Sequence, residues 1–138
     1  EVLQDVVRAF FADHKPVAAV CHGTLLLART RDATGRSVLH NRRSTCLPKY
    51  MERSAWWATA WKLGRYYRTY DAYVEDEVIE ALGPGGTYER GPIHLFAKGS
   101  ATDHRATHVV RDGHYASARW PGDVYAIGEE LAAMLAAL

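Results

Sequence analysis

The first apolar positions of the chain recur at helical spacing. Leu3, Val6, Val7 and Phe10 fall on one stripe of residues 2–11, so the pattern predicts an amphipathic helix. Asp13, His14 and Lys15 follow, and Pro16 is expected to stop the helix, with cations suited to its negative end. Val17-Ala18-Ala19-Val20 is then a short, wholly apolar run, the mark of a strand buried on both faces. Cys21-His22-Gly23 interrupts it, and residues 24–29 read as a second helix. Helix, buried strand, sharp turn and helix is the rhythm of an α/β domain with a parallel sheet.

Residues 31–36, with Gly35, form a turn-rich loop, and Ser44-Thr45-Cys46-Leu47 predicts a strand closed by Pro48. Residues 49–63 have helical spacing and an aromatic face that includes Tyr50, Trp56, Trp57 and Trp61, expected to pack as core or interface. Residues 74–82 predict a further short helix or strand, and the Gly- and Pro-rich residues 83–99 read mostly as loop. His108-Val109-Val110-Arg111 and His114-Tyr115-Ala116-Ser117-Ala118 flank Asp112-Gly113, a hairpin signal. Trp120-Pro121-Gly122 ends that second strand. Asp123 is a suitable N-cap for a last helix that aligns Val124, Ile127, Leu131, Met134, Leu135 and Leu138.

Composition narrows the classes. The 138 residues suit one domain, residues 1–138, with a single core. Apolar residues at 48% and charged residues at 24% are ordinary for a globular chain and exclude a disordered tail or coiled coil. No apolar run approaches the roughly 20 residues that cross a bilayer, so no membrane partner is expected. A net charge of +1 gives no electrostatic case for nucleic acid. Residues 65–70 do interleave Arg65 and Arg68 with Tyr66, Tyr67 and Tyr70, but that reads better as an amphipathic face in a lid or subunit contact. The two cysteines, Cys21 and Cys46, are too few for a disulfide framework and suit a reduced, cytoplasmic setting.

The chemistry concentrates at residues 16–28. A nucleophile elbow needs a strand that stops abruptly, a nucleophile in a strained turn, and small flanking residues. Ala19 lies two positions before Cys21 and Gly23 two after. The thiol is expected at the carboxyl end of the sheet, where α/β folds hold ligands, and at the amino end of a helix whose dipole favours thiolate. The backbone N–H of His22 would face a developing oxyanion, and its imidazole is the adjacent base. For metals, His104 and His108 have i, i+4 spacing but sit in a loop-like stretch. Without Cys-x-x-Cys or His-Glu-x-x-His, solvated histidines are the better account, and no metal or other cofactor is expected.

Val17-Ala18-Ala19-Val20-Cys21-His22-Gly23 resembles the elbow of the ThiJ/PfpI family, within the class I glutamine-amidotransferase-like superfamily. Residues 112–123, from Asp112-Gly113 through Trp120-Pro121-Gly122-Asp123, resemble the family's late hairpin and the loop before its last helix. The resemblance implies a flavodoxin-like three-layer sandwich with a mainly parallel sheet and a late antiparallel hairpin, and a reactive cysteine. Members include glyoxalase- or deglycase-like enzymes, peptidase-like enzymes, isonitrile hydratases and redox-stress proteins. No His-x-Glu pair follows residue 114, which argues against glutamine hydrolysis.

The departures shape the expectation. In the chaperone and glyoxalase branch an Asp follows a Pro after the next strand and completes a Cys-His-Asp triad; after Pro48 this chain has Lys49, with Glu52 one turn on as a weak substitute. The family's amino-terminal strands, Gly-Gly loop and Glu near the thiol have no counterpart before Val17. The chain therefore reads as the C-terminal portion of the domain, with a further segment of roughly 70 to 100 residues expected ahead of it. Pocket candidates are Thr45, Glu52, Trp120 and Pro121. The expected activity is that of a cysteine enzyme on a small carbonyl-type electrophile. The alternative is a non-enzymatic redox-stress or chaperone-like protein that senses oxidants through Cys21. A small-molecule substrate and a homodimer or higher homo-oligomer are the expected partners.

Overall fold

The computed structural model describes residues 1–64, 70–93 and 97–138. The elements are α1 (Val2–Ala12), β1 (Val17–Val20), α2 (Gly23–Arg29), β2 (Arg43–Ser44), α3 (Lys49–Leu63), α4 (Val74–Leu82), β3 (Thr87–Tyr88), β4 (Val109–Asp112), β5 (Tyr115–Ala118) and α5 (Val124–Ala136). A short 3-10 turn, Pro121–Asp123, precedes α5. The cation–aromatic stretch at residues 65–69 lies outside the described residues.

The larger sheet has the order β1-β5-β4. β1 runs parallel to β5, with Val17 opposite Tyr115, and β4 runs antiparallel to it. Alternation along β5 separates two cores. Tyr115 faces a cluster with Ala19, Phe11, Leu25 and Val78. Ala116 and Ala118 face Ile127 and Met134 of α5. The sheet is thus covered by helices on both faces, the expected mixed α/β arrangement.

Several expectations need correction. The α1 stripe is displaced: Val7 and Phe11 are buried, whereas Leu3 is 61% exposed and Val6 and Phe10 also face out. The helix packs through its Val7–Phe11 edge, and among the described residues nothing covers the other. It also ends before Pro16, because His14 takes φ +54° and the N–H of Lys15 donates to the Phe10 carbonyl. β1 is not sealed on both faces, since Ala18 is exposed and only Ala19 is buried. The N–H groups of Val17 and Cys21 donate to His114 and Ala118 on the β5 side. By alternation, the backbone groups of Ala18 and Val20 face the outer edge.

The strand expected at residues 44–47 is only Arg43–Ser44, because the Thr45 N–H turns to the Ser117 hydroxyl, 2.9 Å away. β2 pairs instead with β3, a strand inside the stretch read as loop. The hairpin turn moves one residue along: Asp112 pairs with Tyr115, leaving Gly113-His114 as the turn with Gly113 at φ +62°. Asp123 sits at the N-cap of α5 without capping it through its side chain. Its carboxylate instead accepts from Arg119 and from the His108 N–H.

Two of the three tryptophans of α3 face out, Trp57 71% and Trp61 83% exposed, while Trp56 is half-buried. What α3 buries is Glu52, whose carboxylate accepts the Val74 N–H at the start of α4, 3.1 Å away. Glu75 of α4 returns the contact, accepting the Lys49 N–H at the start of α3, 2.9 Å away. Each helix therefore satisfies an orphan donor of the other, so two buried carboxylates fasten the amino ends of α3 and α4 together.

Candidate active site

β1 stops at Val20 and the chain turns at once. Cys21 takes φ +58°, the left-handed region that costs a non-glycine residue about 1–2 kcal/mol. The turn is held from both sides. The Cys21 N–H is bonded to β5, and the His22 carbonyl accepts the Leu25 N–H of α2. α2 is itself anchored by buried Leu25, Leu27 and Ala28. Of the two small flanks, Ala19 is packed in the core, but a side chain on Gly23 would meet nothing within 4 Å. Gly23 is therefore not required by packing in this elbow.

The adjacent side chains do face each other: Cys21 Sγ lies 3.4 Å from His22 Nδ1. The backbone N–H of His22 also points at the sulfur and favours thiolate. Burial works the other way and dominates, pushing the Cys21 thiol above its ordinary pKa, with the Glu52 charge adding to the rise. Desolvation thus outweighs the His22 N–H, the one contact that favours the expected thiolate. His22 is exposed, and its ring lies 6.3 Å from that of Tyr70. Tyr70 also lies under the Arg29 guanidinium, 4.4 Å away, so it fastens the elbow's imidazole side to α2. Its place beside His22 was not legible in the sequence, where it was one tyrosine of a cation–aromatic run.

The other candidates divide. Glu52 is buried and acts on the Cys21 charge from its position on α3, though its hydrogen bond goes to Val74. Thr45 is fully buried, with its hydroxyl unpartnered among the described residues, as is that of Thr24 in α2. Pro121 is exposed, and the Trp120 ring lies against Gly122. Among the described residues no hydrogen bond or ring contact joins either to Cys21 or His22. Cys46 is a buried free thiol whose S–H faces the Leu47 carbonyl and the Tyr88 hydroxyl, and burial pushes its pKa far up. His104 and His108 go to different partners, Glu129 and the Glu89 carbonyl. No group of three or more metal-ligating side chains converges among the described residues.

Fold and site together define an α/β protein with a cysteine at a strand-to-helix elbow. The chain belongs to the ThiJ/PfpI-like family, whose sequence profile matches residues 1–92. Three crystal structures are similar in fold. One, without a functional description, has a TM-score of 0.74 at 22% identity over 98% of this chain and 51% of its own. The Rapid Encystment Protein of Francisella tularensis has a TM-score of 0.69 at 19% identity, over 96% of this chain and 48% of its own. Glyoxalase III from Candida albicans has a TM-score of 0.70 at 19% identity, over the same shares of each chain. The chain thus spans about half the length of these structures, and its flavodoxin-like fold matches theirs over that span. No curated protein matches the chain in sequence. No helix among the described residues is long and apolar enough to cross a membrane.

Proposed function

We propose that this chain carries the nucleophile portion of a cysteine-dependent enzyme acting on a small carbonyl-type electrophile, in the manner of a glyoxalase, deglycase, hydrolase or hydratase. The observation that supports this reading is the left-handed Cys21 with its sulfur 3.4 Å from the His22 imidazole. In the step proposed, the Cys21 thiol proton passes to His22 Nδ1 and Sγ bonds to the carbonyl carbon. The carbonyl π pair moves to oxygen, and His22 returns the proton there, giving a hemithioacetal. The His22 N–H, already aimed at the sulfur, lies beside the new bond and stabilises the oxyanion side of the adduct. Because the chain shares its fold with glyoxalase III, we would test small aldehydes such as methylglyoxal first.

The alternative is a redox-stress or chaperone-like protein that senses oxidants through Cys21. It is favoured by Lys49 standing where the branch's acid is expected. Turnover of methylglyoxal separates the two. Activity that is lost in Cys21→Ser carries the enzyme reading. No turnover on a panel of aldehydes, esters and isonitriles, with peroxide converting Cys21 to a sulfinic acid, replaces it with the sensor. Both readings place the protein in a reducing, cytoplasmic setting, and both include self-association, which sedimentation at micromolar concentration tests.

A further inference from the structure

Two arginines of the loop after α2, Arg31 and Arg36, have no place in the elbow chemistry. Arg29, Arg31 and Arg36 flank or lie in the loop after α2, and all three reach the wall of one cavity of about 470 Å3. The opposite wall is α4, which brings Glu77 and Glu80. The loop is a built structure. Arg31 bridges to Ser37 in antiparallel fashion, and Asp32 Oδ1 accepts the N–H groups of Thr34 and Arg36 and the Thr34 hydroxyl. Gly35 supplies the left-handed turn at φ +80°. These bonds fix Arg31 and Arg36 at the two ends of one tight turn and engage the nearest acid, Asp32, within the loop.

The three guanidinium groups are not equally committed. Arg29 donates through Nε and Nη2 to the two Glu77 carboxylate oxygens, at 2.5 and 2.9 Å, and covers Tyr70. Among the described residues Arg31 makes no ion pair, and the Arg36 guanidinium donates to the Thr34 hydroxyl, 3.1 Å away. Glu80 has no cation partner among the described residues. Three guanidinium groups and two carboxylates line the cavity, with the Asp32 charge beside Arg36, and among the described residues Arg31 and Arg36 are not held by either lining carboxylate.

We propose that this cavity binds a small tetrahedral oxyanion of the phosphate type, free or as the phosphoryl group of a small molecule, between Arg31 and Arg36. Two separated guanidinium forks suit an anion with more than two acceptor oxygens, whereas a planar carboxylate is satisfied by one. Glu80 opposes the bound charge and limits affinity. The proposal is independent of any role for Cys21.

The test is calorimetric titration of the protein at low ionic strength with inorganic phosphate, methyl phosphate and acetate. One saturable site for phosphate is expected, weakened about tenfold or more in Arg31→Gln and in Arg36→Gln. Glu80→Gln should tighten it a few-fold, and Lys15→Gln, at the end of α1, should leave it unchanged. Because Arg31 and Arg36 are exposed, both variants should melt at the wild-type temperature, which separates binding from folding. Methyl phosphate binding as well as phosphate would identify a phosphorylated small molecule; binding of phosphate alone would identify the free ion. Acetate binding as tightly as phosphate, or equal phosphate binding in both arginine variants, overturns the proposal.

Discussion

β5 and β1 are four residues each and lie side by side in parallel register, yet they do opposite work. β5 is paired on both edges and all four of its residues are buried. Its polar side chains are met: the Tyr115 hydroxyl shares a 2.8 Å hydrogen bond with Ser44, and Ser117 accepts the Thr45 N–H. The chain beyond it runs into Arg119 and Asp123, a fully buried ion pair whose guanidinium also donates to the Pro92 and Ala106 carbonyls. Among the described residues β1 is paired on one edge; it exposes Ala18 and leads into a strained cysteine. A strained residue persists only where its surroundings over-determine it. Here β5 supplies that constraint through the Ala118 carbonyl, so the quiet strand holds the reactive one in place.

The comparison breaks first at Arg119. Arg119→Ala leaves Asp123 charged and buried, and should lower stability by about 3–5 kcal/mol in urea unfolding. A loss below about 1 kcal/mol would show that the pair does not anchor the β5 side. Next comes the strain in β1's end. Cys21→Gly and Cys21→Ala both remove the thiol, but only glycine relieves the left-handed φ, so it should be more stable than alanine by about 1 kcal/mol. Equal stability would mean that the elbow relaxes without the thiol.

The smallest effect sharpens the electrostatics. With the thiol pKa pushed up, thiolate is scarce at neutral pH, so the rate of Cys21 alkylation by iodoacetamide should still climb beyond pH ~8.5. Glu52→Gln removes a charge that disfavours thiolate while keeping an acceptor for the Val74 N–H. It should raise the rate at pH 7 a few-fold and bring the plateau to lower pH. An unchanged profile would remove Glu52 from the site.

Legibility followed the range of the interactions. The elbow could be read because strand, turn and helix are contiguous, and the apolar run, Cys21 and α2 each announce themselves locally. Tyr70 could not, since its neighbours His22 and Arg29 are far away in sequence and meet it only in the fold. The α1 stripe was misplaced for the same reason. Periodicity identifies a helix face as apolar, but the packing against β1 and α2 selected Val7 and Phe11 over Leu3 and Phe10. Glu52 was noticed for its spacing from Pro48, while its exchange of caps with Glu75 depends on how α3 and α4 meet.

The sequence by itself determined the α/β alternation, the elbow at Cys21 and the late hairpin, because hydrophobic periodicity and turn chemistry act over a few residues. Only the tertiary structure decided which face each helix buries and that, among the described residues, β5 lies between β1 and β4. It alone also decided that burial outweighs the His22 N–H at the thiol. Those outcomes depend on desolvation and on hydrogen bonds between distant segments, which exist only once the elements have packed.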